Sequence, residues 1–170
     1  MLNIRAANID DTSVIKKLIS DLADYEKQSE QARITEGDIL RHGFGQEPEF
    51  RVLIAEWQGA PAGFALFFNH YSTWRGAGFY LEDLFVCPEL RGRGIGKALL
   101  AEVARAAEQE GRAFIRWAVL NWNQPAIAMY TRLGAEFLDE WRTALVAGEG
   151  LKKLTGQLPI IGRVNVRRSK

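Results

Sequence analysis

Residues 79–96 read Phe-Tyr-Leu-Glu-Asp-Leu-Phe-Val-Cys-Pro-Glu-Leu-Arg-Gly-Arg-Gly-Ile-Gly. The first eight are aromatic or aliphatic except for Glu82 and Asp83, the pattern of a central buried strand with two acids in its middle. Pro88 stops that strand. A helical stripe follows, made of Ile95, Leu99, Leu100, Val103, Ala106 and Ala107, and it ends at Gly111. Glycines between a strand and a helix let backbone N–H groups approach a ligand closely, and the helix N-terminus favours an anion. Arg91 and Arg93 add charge-assisted donors. The segment Arg91, Gly92, Arg93, Gly94, Ile95, Gly96 therefore reads as a phosphate or pyrophosphate cradle, against the plainer alternative of a tight turn. It is not a P-loop, because Gly96-Lys97 is followed by Ala98. Nor is it the dinucleotide fingerprint, because its glycines fall as G-x-G-x-G.

Working outward, residues 4–5 open a short strand. Asp10 or Asp11 is the expected cap of a helix whose stripe is Val14, Ile15, Leu18, Ile19 and Leu22, running to about Tyr25. Thr35 and Asp38 form a second cap signal before Ile39 and Leu40. Residues 51–57 and 63–69 read as two strands joined by a turn at 58–61. Beyond the central helix, 114–120 reads as a strand. Pro125 opens a helix carrying Ile127, Met129, Tyr130 and Leu133 and ending at Gly134. Residues 137–138 and 143–146 read as two last strands. The order implies a mixed α/β fold, with 1–148 as the domain and 149–170 as a C-terminal extension.

The chain has 170 residues, formal net charge +1, 47% hydrophobic and 25% charged residues, which fits one soluble globular domain. Arg163, Arg167, Arg168 and Lys170 lie at the end with no acid among residues 161–170. The rest is mildly acidic, so the basic end reads as a solvated terminus rather than a nucleic-acid arm. No apolar run is long enough for a membrane span, and residues 1–11 lack the order of a signal peptide. A cytoplasmic protein without nucleic-acid or membrane partners is expected. Cys87 is the single cysteine, which excludes a disulfide framework. It has no evident His-Asp pair beside it, so it reads as structural. His42 and His70 are too few for a zinc site, and no metal is expected.

Arg91-x-x-Gly94-x-Gly96, together with Trp122-Asn123-x-Pro125-Ala126-x-x-x-Tyr130-x-x-x-Gly134-Ala135, resembles the GNAT acetyltransferase superfamily over residues 3–146. Ala23-Asp24-Tyr25-Glu26, Gly43-Phe44-Gly45 and Tyr80-Leu81-Glu82-Asp83 resemble its diamine acetyltransferase branch, the spermidine/spermine and thialysine N-acetyltransferase-like proteins. The resemblance implies the GNAT fold, a mixed, mostly antiparallel sheet flanked by helices. It implies acetyl-CoA as co-substrate, a small aliphatic amine as acceptor, and a homodimer.

An alkylammonium has a pKa near 10.4, so at pH 7 only about one molecule in 2,500 is the neutral nucleophile. A site for this reaction must hold the cation, take its proton and protonate the departing thiolate. By resemblance, Glu82 is the base, acting through water, and Asp83 anchors the cation. Tyr130 is the acid at the sulfur. Phe85 and Val86 bind the pantetheine arm through their main chains, and Asn123 through its side-chain amide. Glu26, Tyr25, Trp74 and Trp141 wall the amine pocket. Adjacent strand residues point to opposite faces, so Glu82 and Asp83 share one cleft only if a bulge re-aims one of them, expected near Asp83–Leu84. The polyamine enzymes carry an acid where this chain has Ser72. Its loss leaves room for a zwitterionic amino acid whose carboxylate meets Arg75 or Arg142. Two alternatives stand beside this reading: protein or peptide N-acetylation, and a non-catalytic CoA-responsive binding protein.

Overall fold

A computed structural model gives the fold and describes residues 1–157. Five strands form one sheet: β1 (Leu2–Ala6), β2 (Arg51–Trp57), β3 (Ala60–Ser72), β4 (Gly76–Val86) and β5 (Ile115–Arg116). They stand in chain order, antiparallel except for the parallel pair β4–β5. The helices are α1 (Thr12–Tyr25), α2 (Glu36–Gly43), α3 (Ile95–Gln109), α4 (Gln124–Arg132) and α5 (Glu149–Gln157). This is the mixed, mostly antiparallel sheet flanked by helices that the resemblance implied. A compact unit, Met1–Met129, holds the whole sheet and α1–α3; a second begins at Tyr130.

Alternation along the strands decides which helix covers which face. Val52, Ile54, Phe64 and Leu66 meet Ile15 and Leu18 of α1 and Ile39 of α2 in one buried cluster. Phe67, Phe79 and Leu81 are buried outside that cluster, on the side of the sheet where α3 buries Leu99 and Val103. Each fully buried side chain of this kind contributes about 1.5–3 kcal/mol. The Thr35–Asp38 capping box forms as expected at α2. Asp11 is the N-cap of α1, as expected, but its side chain makes no cap hydrogen bond to that helix; the side-chain cap is at Asn8, on the turn just before. Asn8 accepts from the Asp10 N–H at 2.8 Å and donates its own N–H to Asp11 Oδ2 at 2.8 Å. Asp11 is held there by two 2.7 Å bonds from Arg5, so it serves an ion pair rather than the first turn of α1.

The bulge is present, one residue before its expected place. Leu66 pairs with Asp83 and the next β3 residue, Phe67, pairs with Leu81, leaving Glu82 as the extra residue on β4. Leu81 keeps its place on the α3 side, while Phe85 joins the α1–α2 cluster. The alternation is reset across Glu82, which turns both acids to one face. Just beyond, Gly63 lies opposite Val86, and a Cβ there would stand 2.3 Å from the Phe85 carbonyl oxygen. Backbone cannot give way as a side-chain tip does. Gly63→Ala is therefore expected to destabilise the protein by about 3 kcal/mol, read as a fall in the urea midpoint.

Two sets of strands differ from expectation. In 114–120 only Ile115 and Arg116 pair, with Phe79 and Tyr80. Pairing stops just before the bulge, which bends β4 away and leaves the following residues no ladder partner. Residues 137–138 and 143–146 form no strand. Phe137, Leu138, Leu145 and Val146 are at least partly exposed, and an extended segment without a ladder partner is not a strand. The basic end at 163–170, and Leu158, Ile160 and Ile161 of the C-terminal extension, lie outside the described residues.

Candidate active site

The bulge opens a cleft of about 480 Å³ on the α1–α2 side of β3 and β4. Its apolar wall is Ile19, Ile34, Phe50, Leu66 and Phe68, and its acids are Glu49, Glu82 and Asp83. Tyr80 stacks on Phe68 (5.4 Å between centroids, 26° between planes) and continues the apolar surface along β4. Burial pushes the Asp83 carboxyl up to about 7, and the charges of Glu82 and Glu26 add to the push. Glu26, just past the end of α1, is itself raised by burial. The structure thus brings the three predicted acids, Glu26, Glu82 and Asp83, into one electrostatic neighbourhood. A fold spends stability on clustered like charges where a cation is to be held.

Glu49 is the acid that the sequence did not disclose. It sits in the irregular stretch before β2, where its N–H donates to the His42 carbonyl at 2.7 Å. No periodic signal marks a single acid in such a loop. Of the expected aromatic walls, Tyr25 and Trp74 are absent from the cleft lining. Trp74 is 82% exposed on the β3–β4 turn, outside the cleft lining. Ser72 serves that turn, its Oγ accepting from the N–H groups of Trp74 and Arg75 at 3.2 Å each. Trp141 and Tyr130 belong to the second unit; Trp141 is largely exposed and Tyr130 is buried on α4.

The glycine segment is built as a ligand cradle. Gly92 and Gly94 take φ of 76° and 81°, a left-handed backbone that glycine adopts without penalty, and a Cβ at either would meet nothing within 4 Å. Gly94 is the N-cap of α3 and has no side chain to cap it, so the first-turn N–H groups receive no side-chain cap from it. Ile95 is buried in the core and offers only its main chain. Arg91 leans over Tyr25, its guanidinium carbon 4.0 Å from the ring centroid, and its Nε donates to the Val86 carbonyl at 3.0 Å. Arg93 turns the other way, over Trp57 at 5.4 Å. Asn123 Oδ1 accepts from the Tyr25 hydroxyl at 3.2 Å and from the Ala126 N–H at 3.4 Å. Phe85 is buried by its side chain, as expected. Past Tyr80, no described residue of β5 pairs with β4, so the edge of Phe85 and Val86 is left without a sheet neighbour on that side. An open edge next to an uncapped helix start suits an elongated ligand ending in a phosphate group.

Comparison with known proteins decides the family. The Acetyltransferase (GNAT) family pattern matches residues 15–135. The chain belongs to the GNAT acetyltransferase family. Membership makes it an acetyl-CoA-dependent N-acetyltransferase by class. The chain is 40% identical over 165 residues to thialysine N-epsilon-acetyltransferase from Bos taurus, covering 91% of this chain and 97% of that one. It is 31% identical over 143 residues to the protein of that name from Caenorhabditis elegans, covering 82% and 88%. Among solved structures, an integron cassette protein from the mobile metagenome of V. cholerae superposes with a TM-score of 0.75 at 23% identity, covering 91% and 97%. An aminoglycoside N-acetyltransferase in complex with CoA gives 0.69 at 22% identity, covering 87% and 95%. These two show the same fold.

No metal-binding group of three or more His, Cys, Asp or Glu occurs among the described residues. No helix among them is long and apolar enough to cross a membrane. Cys87 is half-buried, and burial with the nearby Glu89 and Asp21 charges pushes its thiol up, away from the reactive thiolate.

Proposed function

We propose that this GNAT enzyme transfers the acetyl group of acetyl-CoA directly to a primary amine of a small, cationic, lysine-like or polyamine substrate. The observation that carries the reading is the pairing of Glu82 and Asp83 on one wall of an apolar cleft, with Glu49 in the same lining. Apolar side chains suit an alkyl stem and the acids suit ammonium groups. The thialysine N-epsilon-acetyltransferase relatives support the lysine-like choice.

In this reading Arg91 and the main chain of 92–96 hold the pyrophosphate, with Arg93 at the rim. The main chains of Phe85 and Val86 and the amide of Asn123 line the pantetheine path. We assign the proton of the substrate ammonium to Asp83. An ordinary carboxylate lies roughly six pKa units below the amine, whereas a carboxyl near 7 lies roughly three below, which lessens the uphill transfer. Glu82 and Glu26 are the flanking charges that raise Asp83 and attract the cation. This exchanges the duties of Glu82 and Asp83 implied by the resemblance. Tyr130 donates to the departing thiolate. Because a thiol pKa is near 8.5, that help is modest. Tyr130→Phe is expected to lower kcat about tenfold while leaving the CoA dissociation constant unchanged, and equal kcat removes Tyr130 from this role.

The test is thiol release from acetyl-CoA with thialysine, lysine, ornithine, putrescine, spermidine, spermine and a lysine-containing peptide, ranked by kcat/KM. A free small amine is expected to lead. Leadership of the peptide would favour protein acetylation. Tight CoA binding with no turnover would favour a non-catalytic sensor. We further propose a homodimer, supported by exposed apolar side chains in the second unit, such as Leu145, Leu151 and Leu154. A cytoplasmic location rests on composition alone.

A further inference from the structure

We infer that Tyr25 is a positioning residue of the acyl-CoA loop rather than a wall of the amine cleft; the inference rests on the reading of Arg91 as a pyrophosphate ligand. Tyr25 ends α1 and is half-buried. It is absent from the cleft lining, whereas Ile19, on the same helix, is part of it. Its ring instead lies under the Arg91 guanidinium at 4.0 Å. Its hydroxyl donates to Asn123 Oδ1 at 3.2 Å, and its ring meets Trp122 at 5.7 Å and 59°.

Three separate segments meet at this one side chain: the end of α1, the loop after β4, and the loop that starts α4. Each contact constrains a group assigned to CoA. Arg91 is exposed, and an exposed arginine ordinarily samples many rotamers. Here its Nε is committed to the Val86 carbonyl and one face is covered by the Tyr25 ring. The plane of the guanidinium is thereby set, and its two terminal nitrogens are the donors left for an anion. On Asn123, the oxygen takes both the Tyr25 hydroxyl and the Ala126 N–H. That orients the amide so that its nitrogen is the end left for a ligand. Tyr25 therefore prepays the ordering of two cofactor contacts with one ring and one hydroxyl. Its neighbour Glu26 faces the other task, since its charge acts on Asp83. Tyr25, the last residue of α1, and Glu26, just past it, thus divide between the two substrates.

The test is calorimetric titration of the full chain with CoA, with KM for the amine measured alongside. Tyr25→Leu removes ring and hydroxyl and is expected to weaken CoA about fivefold, with KM for the amine unchanged. Tyr25→Phe keeps the ring and is expected to recover most of that loss. Arg91→Ala is expected to weaken CoA at least tenfold. Adding Tyr25→Leu to Arg91→Ala is expected to cost less than twofold more, because the arginine over its ring is gone and only the hydroxyl's hold on Asn123 is left to lose. A fivefold additional loss in the double variant would mean general damage to packing and would overturn the inference. So would a rise in amine KM with CoA affinity intact, which returns Tyr25 to the cleft. If Arg91→Ala leaves CoA affinity unchanged, the pyrophosphate reading itself has failed, and the inference falls with it.

Discussion

Asp83→Asn lowers kcat/KM for the amine by about 10³-fold and makes the folded protein more stable at neutral pH. The two effects have one cause. Asp83 is held at about 7 by burial and by the charges of Glu82 and Glu26, against an ordinary value of 3.8. Between about pH 4 and 7 the native state binds the proton more tightly than the unfolded chain does. Stability from this group is therefore fully present below pH 4 and is lost as pH rises through 7. Asparagine cannot ionise, so the variant escapes that loss. Three pKa units correspond to about 4 kcal/mol, but Asp83 keeps partial contact with solvent, and a gain on the order of 2 kcal/mol is expected above pH 7. At pH 4 the variant and the parent should unfold at nearly the same urea concentration. The catalytic loss follows because the amide cannot take the ammonium proton. In the parent, kcat/KM should rise as Asp83 ionises around neutral pH, and that limb should vanish in the variant. A variant as active as the parent, or less stable at pH 8, would remove Asp83 from the role.

The second large effect belongs to the glycine segment. Gly94→Val raises KM for acetyl-CoA by about 100-fold, with only about 1–2 kcal/mol lost in stability. At φ 81° a β-branched residue is strained, yet a Cβ there meets no protein atom within 4 Å. The fold tolerates the side chain, but a ligand approaching the α3 N-terminus does not. Gly59→Val is the matched control. Gly59 has φ 84° and equally open space, on the β2–β3 turn. It should show the same small stability loss with no change in KM. Equal effects at both positions would reduce the segment to an ordinary turn.

What sequence disclosed divides along physical lines. Local rules transmitted well. The Thr35–Asp38 box, the α3 stripe and the stop of that helix at Gly111 depend on residues within a few positions of each other. Features set by distant partners transmitted poorly. The bulge was expected for a chemical reason, the need to bring two adjacent acids together, but its placement at Glu82 depends on where β3 offers Leu66 and Phe67. Residues 117–120 look strand-like by composition and lack a partner once β4 bends. Phe137 and Leu138 also look strand-like by composition but form no strand. At the site, Glu26, Glu82 and Asp83 were found through a motif, while Glu49 was missed because a loop acid carries no pattern. Tyr25 was assigned to the amine by its neighbourhood in sequence. Its contacts with Arg91 and Asn123 span 66 and 98 residues of chain and are visible only when folded.

The central claim is direct acetyl transfer to a small cationic amine, and a single-turnover reaction tests it most directly. Enzyme in excess over acetyl-CoA is mixed with thialysine or a short diamine, quenched, and both the amine and the intact protein are weighed by mass spectrometry. The account predicts one acetyl group on the amine and none on the protein, Cys87 included. An acetylated protein would contradict direct transfer, and unreacted acetyl-CoA beside every such amine would contradict the proposed function.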